Sequence, residues 1–235
     1  MSLQKYLDLL TEKYDLPRTA SLVGETLTFE GKVIPLLPWR CERRFVELRN
    51  LVNDGTLDGV SALRISHVAP KGTDLKILLY RELDLCQWIL GRKIREIMTF
   101  TNGETSNTVA ELDGGAVCTV ELAATLAEGT PDVDKHEITA RVGVACDRVV
   151  DTQVPQSSIY FYSDKPTPET FTDVDFELFG LSAADVATVR AAQAALADPA
   201  LADALIAADK ELTALVKLSA KSAESGENLK VGDAL

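Results

Sequence analysis

The stretch "LLYRELDLCQWILG", Leu78 to Gly91, decides how the rest of this chain reads. It is apolar nearly all round, as a buried helix is, and Gly91 is placed to stop it. Its start carries three charges, Arg81, Glu82 and Asp84. Helix-end electrostatics offers one account: the two acids favour the positive N-terminus and Arg81 pairs with one of them. That account is preferred to a pocket in which Arg81 grips a carboxylate or phosphate in a bidentate contact. Trp88 and Tyr80 read as core, because aromatic residues at helical spacing usually are.

On the N-terminal side of this helix, "VSALRISHV" reads as a strand and "CERRFVELRNLVNDG" as a helix. That helix has a stripe of Phe45, Leu48, Leu51 and Val52 and a cap at Gly55. Earlier still, residues 3–14 read as an amphipathic helix ended by Pro17, and "TLTFEGKVIPLL" as a hairpin. After Gly91 strand signals follow in succession: "IREIMTFT", "NTVAEL", "AVCTVELA", "HEITARVGVAC" and "SSIYFY". "LDGGAV" is the turn between the second and third. In the fourth, Ile138, Ala140, Val142 and Val144 fall on one side, which predicts one buried face. An alanine-rich segment, residues 183–208, follows. A last helix starts at Asp198-Pro199 and stops at Gly226. Strands in series with helices before and after predict an α+β fold. Its sheet is open and largely antiparallel, with helices on one face and a second subunit on the other. The whole chain, 1–235, reads as a single domain.

The formal net charge of −12 argues against nucleic acid and anionic membranes as partners. The chain contains no apolar run of 18 residues. "MSLQKYLDLLTEKY" lacks the basic start and apolar core of a signal peptide, so a cytoplasmic location is expected. Cys41, Cys86, Cys118 and Cys146 form no CxxC pair and read as reduced, mostly buried thiols. His67 ends a strand and reads as a surface or satisfied residue. His136 begins one and alternates onto its apolar side. As two isolated histidines without a paired acid, they do not suggest a metal site.

Three pieces, "FVELRNLVNDGTLDGVSALRIS", "RELDLCQWILGRKIREI" and "LSAKSAESGENLKV", stand in an order that resembles one domain type. It is the C-terminal domain of the glucose–fructose oxidoreductase/inositol dehydrogenase/rhizopine-catabolism (Gfo/Idh/MocA) family, of the dihydrodipicolinate and glucose-6-phosphate dehydrogenase C-terminal type. The resemblance covers residues 38–231, with 1–37 as a lead-in helix and irregular segment. It implies a domain that forms a substrate pocket and a dimer surface, beside an N-terminal Rossmann domain that binds NAD(P). No GxGxxG follows a strand in this chain, so no cofactor is expected here unless a Rossmann-domain partner supplies NAD(P). "DKP" at 164–166 lies too far downstream to be the family's Glu-Lys-Pro motif and reads as a turn.

The resemblance also implies an aspartate four residues before a catalytic histidine, then Glu-x-Asp. Glu82 and Asp84 match the acids, while Arg81 stands at the histidine position and Ile77 at the aspartate position. Arginine stays protonated and cannot serve as the proton-transfer base. The catalytic pair therefore reads as degenerate. The candidate ligand-binding residues are Arg81, Glu82 and Asp84, with Asp147, Arg148, Asp151, Gln153 and Gln156 in the polar segment "ACDRVVDTQVPQ". For that segment a polar interface is preferred. The expectation is a stand-alone, non-catalytic homologue acting as a dimerising sugar- or polyol-binding or assembly subunit. The alternative is the substrate part of an NAD(P)-dependent sugar or polyol dehydrogenase whose Rossmann domain is supplied in trans or lies outside this sequence. A third option is a cofactor-independent isomerase or lyase using Glu82 or Asp84.

Overall fold

The computed structural model describes residues 2–17, 19–147, 158–161, 169–172, 175 and 177–233. The chain opens with helix α1 (Leu3–Lys13), which buries Leu7 and Leu10. A three-stranded antiparallel meander follows: β1 (Ser21–Val23), β2 (Thr26–Phe29) and β3 (Lys32–Pro35). Glu30 and Gly31 join β2 to β3 with φ of 49° and 76°. Positive φ at both central residues matches the right-handed strand twist, which is why this turn closes the expected hairpin. A 3-10 turn, Pro38–Cys41, leads into helix α2 (Arg43–Asn53), which buries Phe45 and Leu48.

The long strand β4 (Asp58–Pro70) sends Leu63, Ile65, His67 and Ala69 inward. It is followed by helix α3 (Leu75–Leu90) and strands β5 (Ile94–Asn102), β6 (Thr105–Leu112) and β7 (Val117–Leu126). Beyond them come β8 (Val133–Val142), β9 (Val144–Cys146), and the separate antiparallel pair β10 (Ser158–Phe161) and β11 (Glu169–Thr172). Helix α4 (Ala183–Ala197) occupies the alanine-rich segment, and helix α5 (Pro199–Ser225) the predicted terminal one. The two-residue strand β12 (Leu229–Lys230) closes the sheet against β5.

The seven-stranded sheet runs β12-β5-β6-β7-β4-β8-β9. All its pairings are antiparallel except β4 with β7. The sheet is therefore mixed. The chain leaves β4 through α3 and the β5–β6 hairpin and returns beside β4 in the same direction, which only a long crossover permits. Helices α3 and α5 pack on one face, where Leu63, Ile65, Ile97, Val120 and Ile138 are buried. The other face lies open among the described residues: Met98, Val109, Thr119, Arg64 and Glu137 form one cross-strand row, and Phe100, Asn107, Glu121, Ser66 and Lys135 the next. Among the described residues no single helix is long and apolar enough to cross a membrane.

Three expectations change. Helix α3 starts at Leu75, three residues before the predicted start. The Asp74 side chain caps it by accepting from the Lys76 N–H at 2.9 Å. The alternation in β8 stops serving the core at Gly143, where φ is 91° and the chain turns back into β9. Val142 and Val144 are consequently exposed. Cys86 and Cys118 are buried, but Cys41 and Cys146 are exposed, in the 3-10 turn and an edge strand. Leu7, Leu27 and Ile34 of the lead-in join the same apolar cluster as Leu63 and Leu83.

Candidate functional site

The early start of α3 changes the meaning of its charges. Arg81, Glu82 and Asp84 are the seventh, eighth and tenth residues of the helix, beyond the first turn within which the helix dipole acts. Helix-end electrostatics therefore does not explain the acids, which are almost completely buried. Each has been given cationic partners instead. Arg40 binds Asp84 with two nitrogens, and Trp39 donates its Nε1–H to Asp84 Oδ2 at 2.7 Å. Glu82 accepts from both histidines, at 2.7 Å from His67 Nδ1 and 2.9 Å from His136 Nε2.

The histidines are thus not isolated. Strand β4 carries His67 inward in phase with Ile65, β8 carries His136 inward in phase with Ile138, and α3 delivers Glu82 between them. The second nitrogen of each ring also meets a carboxylate. His136 Nδ1 lies 2.7 Å from Asp147, and His67 Nε2 lies 3.0 Å from Asp132. Asp147 Oδ1 further accepts the His136 backbone N–H at 2.7 Å. Phe45 packs edge-on against His136, its centroid 4.7 Å away.

Burial opposes charge at each of these groups, and the hydrogen bonds overcome it. For Glu82 the bonds from His136 and His67 and the nearby Arg81 outweigh burial and hold its pKa at about 2. For His136 the bonds to Asp147 and Glu82 outweigh burial and raise its pKa to about 9. His67 is raised too, against burial, by Glu82 and Asp132. Asp134 lies well below the usual carboxylate range: Arg44, bound to both its oxygens, outweighs its burial.

His67, Glu82 and Asp134 offer ligand atoms within 4.8 Å of one another, a spacing that suits a metal ion. The Arg81 guanidinium stands there instead. Its Nη1 is 3.3 Å from His67 Nδ1 and 3.2 Å from Glu82, and its Nη2 is 2.9 Å from Asp134. Arg81 does pair with an acid of its own helix, but as the central cation of a larger cluster.

Above this cluster lies a cavity of about 600 Å³, walled by Arg81, Trp39, Tyr80, Glu25, Asp132 and Asp209. Ile77, at the position expected for a catalytic aspartate, also faces it and is largely exposed. Tyr80 is half core, half wall: it packs against the apolar cluster and donates its hydroxyl to Asp209 at 2.8 Å. Trp88 packs beneath the Arg49 guanidinium, 4.5 Å away. Glu25, between β1 and β2, also lines the cavity, and burial raises its pKa against the pull of Arg81.

Of the sequence candidates, the structure brings Arg81, Glu82 and Asp147 into one cluster through His136. It places Asp84 in a separate ion pair. Arg148, Asp151, Gln153 and Gln156, like the 164–166 turn, lie outside the described residues. Sequence reasoning weighed His67 and His136 but left them outside the site, and it missed Asp132, Asp134, Arg40 and Arg44. The inward phase of both histidines, together with an acid inside an apolar helix, was the available signal. Gly114 and Gly115, both at φ 78°, form the β6–β7 turn with no α-helix following, so they build no pyrophosphate cradle.

The architecture, an α+β domain with helices on one face of a mixed sheet, is that of dehydrogenases of the Gfo/Idh/MocA type, to which the chain is similar at 13–16% identity. A probable dehydrogenase from Thermotoga maritima superposes with a TM-score of 0.61 at 16% identity, over 85% of this chain and 64% of that one. GenD2 from gentamicin A biosynthesis, in complex with NAD, gives 0.58 at 15%, over 83% and 62%. The scyllo-inositol dehydrogenase of Lactobacillus casei, with bound NAD(H) and scyllo-inositol, gives 0.54 at 14%, over 83% and 64%. The chain spans less than two thirds of the length of these structures. No protein-family model and no curated protein matches it.

Proposed function

We propose that this chain is a sugar- or polyol-binding substrate domain without hydride chemistry of its own, with its ligand in the cavity above Arg81. The observation that carries the reading is the composition of that cavity. Trp39 and Tyr80 offer flat apolar surface for the C–H face of a ring, and carboxylates at Glu25, Asp132 and Asp209 accept hydrogen bonds from hydroxyls. The charge of Arg81 is already engaged by Asp134 and Glu82, and Glu42 lies 3.8 Å away. A carboxylate or phosphate ligand would therefore meet mostly like charge, whereas a neutral polyol would not. Residues 38–231 supply the domain and the lead-in supplies one wall of its pocket. Calorimetric titration with scyllo-inositol and related cyclitols and sugars tests the reading. Saturable heat that is lost in Trp39→Ala is expected; no heat with any of them would overturn it. NAD(H) alone is expected not to bind, and a saturable NAD(H) isotherm would count against the reading.

A second reading is favoured by the His67–Asp132 pair, which brings a titratable dyad to the cavity wall. On that reading the chain is the substrate part of an NAD(P)-dependent dehydrogenase, and a Rossmann domain elsewhere brings the cofactor. Mixing the chain with a Rossmann-domain partner would then give polyol-dependent NADH formation. In either case the open sheet face, with Met98, Phe100 and Val109 grouped on it, is the surface proposed to pair two copies.

A further inference from the structure

Five titratable side chains from separate elements stand in one file: Asp132, His67, Glu82, His136 and Asp147. The successive contacts are 3.0, 2.7, 2.9 and 2.7 Å. The last four side chains are at most 2% exposed, whereas Asp132 is 49% exposed and lines the cavity. An ionised carboxylate only accepts hydrogen bonds, so a ring nitrogen that faces one must donate. Four nitrogens face carboxylates here, so both imidazoles carry two protons while the acids are ionised, and Arg81 Nη1, 3.3 Å from His67 Nδ1, then stands beside that ring as a like charge and not as a donor to it. The flanking charges come from every neighbouring element. Arg81 is on α3, Arg44 on α2, Asp134 on β8, Glu42 just before α2, and Glu25 lines the same cavity. The file is therefore a loaded proton store with one end in the pocket.

We propose that Asp132 is the ligand-contacting end of this relay, so that a hydroxyl-rich compound entering the cavity drives release of one proton from His67. The inference rests on the polyol-pocket reading. A ligand O–H that donates to Asp132 Oδ2 competes with the His67 Nε2–H for that oxygen. The imidazolium loses half of its support, and the Nε2 proton leaves to solvent. The ring becomes neutral, and its Nδ1–H still donates to Glu82. No bond other than N–H breaks and no electron moves. The release falls above the ordinary histidine pKa of about 6.5, where His67 holds its proton only through its partners.

The test is calorimetry of the full chain with scyllo-inositol in two buffers of unlike ionisation enthalpy, slightly above neutral pH. Expected is an apparent heat that differs between buffers by up to one proton per ligand bound, and that becomes buffer-independent in Asp132→Asn. Wild-type binding with buffer-independent heat overturns the relay and leaves the pocket reading standing. If no polyol binds, the pocket reading fails, and the Asp132–His67 link is judged by ¹⁵N NMR of the two histidines. Asp132→Asn should lower the His67 titration midpoint and leave that of His136 in place. An unmoved His67 overturns the link.

Discussion

Glu82 is the residue on which the interior turns. A carboxylate with no exposed surface, in a helix otherwise packed with leucines, is stable only because two imidazoles and a guanidinium reach it. Glu82→Gln keeps the shape and removes the charge, leaving cations facing one another. A loss of about 3–5 kcal/mol in urea unfolding is expected, the usual cost of breaking a buried pair. The pH profile follows from the same group of charges. His136 has a folded pKa of about 9, above its unfolded value of about 6.5. Its contribution is complete below about pH 6.5 and is lost as pH rises through about 9, on the order of 3 kcal/mol. Glu82 works at the other end: its contribution is present above its unfolded value of about 4.5 and is lost as pH falls through about 2. Stability measured against pH should show both flanks, and His136→Gln should flatten the alkaline one. The phase of His136 is readable in "HEITA", but its partner stands 54 residues away, on another element. Nothing local in the sequence links the two.

At the scale of the element, helix α3 shows how a small error in a boundary changes an interpretation. Read from Leu78, its acids belong to the first turn; read from Asp74, they lie in the helix body. The signal for the true start is the aspartate at the N-cap, placed just after the Gly72 turn. Asp74→Ala should lower stability by about 1 kcal/mol in thermal unfolding, the usual worth of such a cap. The C-terminal ends of α3 and α5 were legible, since Gly91 and Gly226 both adopt left-handed φ, at 62° and 71°. Strand β8 was legible only up to Gly143. A Cβ there would meet Leu57 Cδ2 at 3.0 Å, and φ is positive, so the chain turns where alternation alone would continue it.

At the scale of the molecule, the open sheet face carries the remaining prediction. Met98, Phe100 and Val109 lie together on it, with Phe100 56% exposed. Sedimentation is expected to give a dimer at micromolar concentration and a monomer for Phe100→Asp; a wild-type monomer would remove this face as an interface. The overall architecture was largely visible beforehand, because period-2 and period-3.6 patterns record which face of each element is buried. The parallel pairing of β4 with β7 was not, because pattern shows phase and not neighbour. The site divides in the same way. The sequence by itself determined that Arg81, Glu82 and Asp84 stand in an apolar helix that Gly91 stops. Only the tertiary structure decided that β4 and β8 would bring two histidines to that acid, and that the lead-in would wall the pocket above it. The physical reason is that a buried charge requires partners, but the chain is free to draw them from any element that the packing brings within 3 Å.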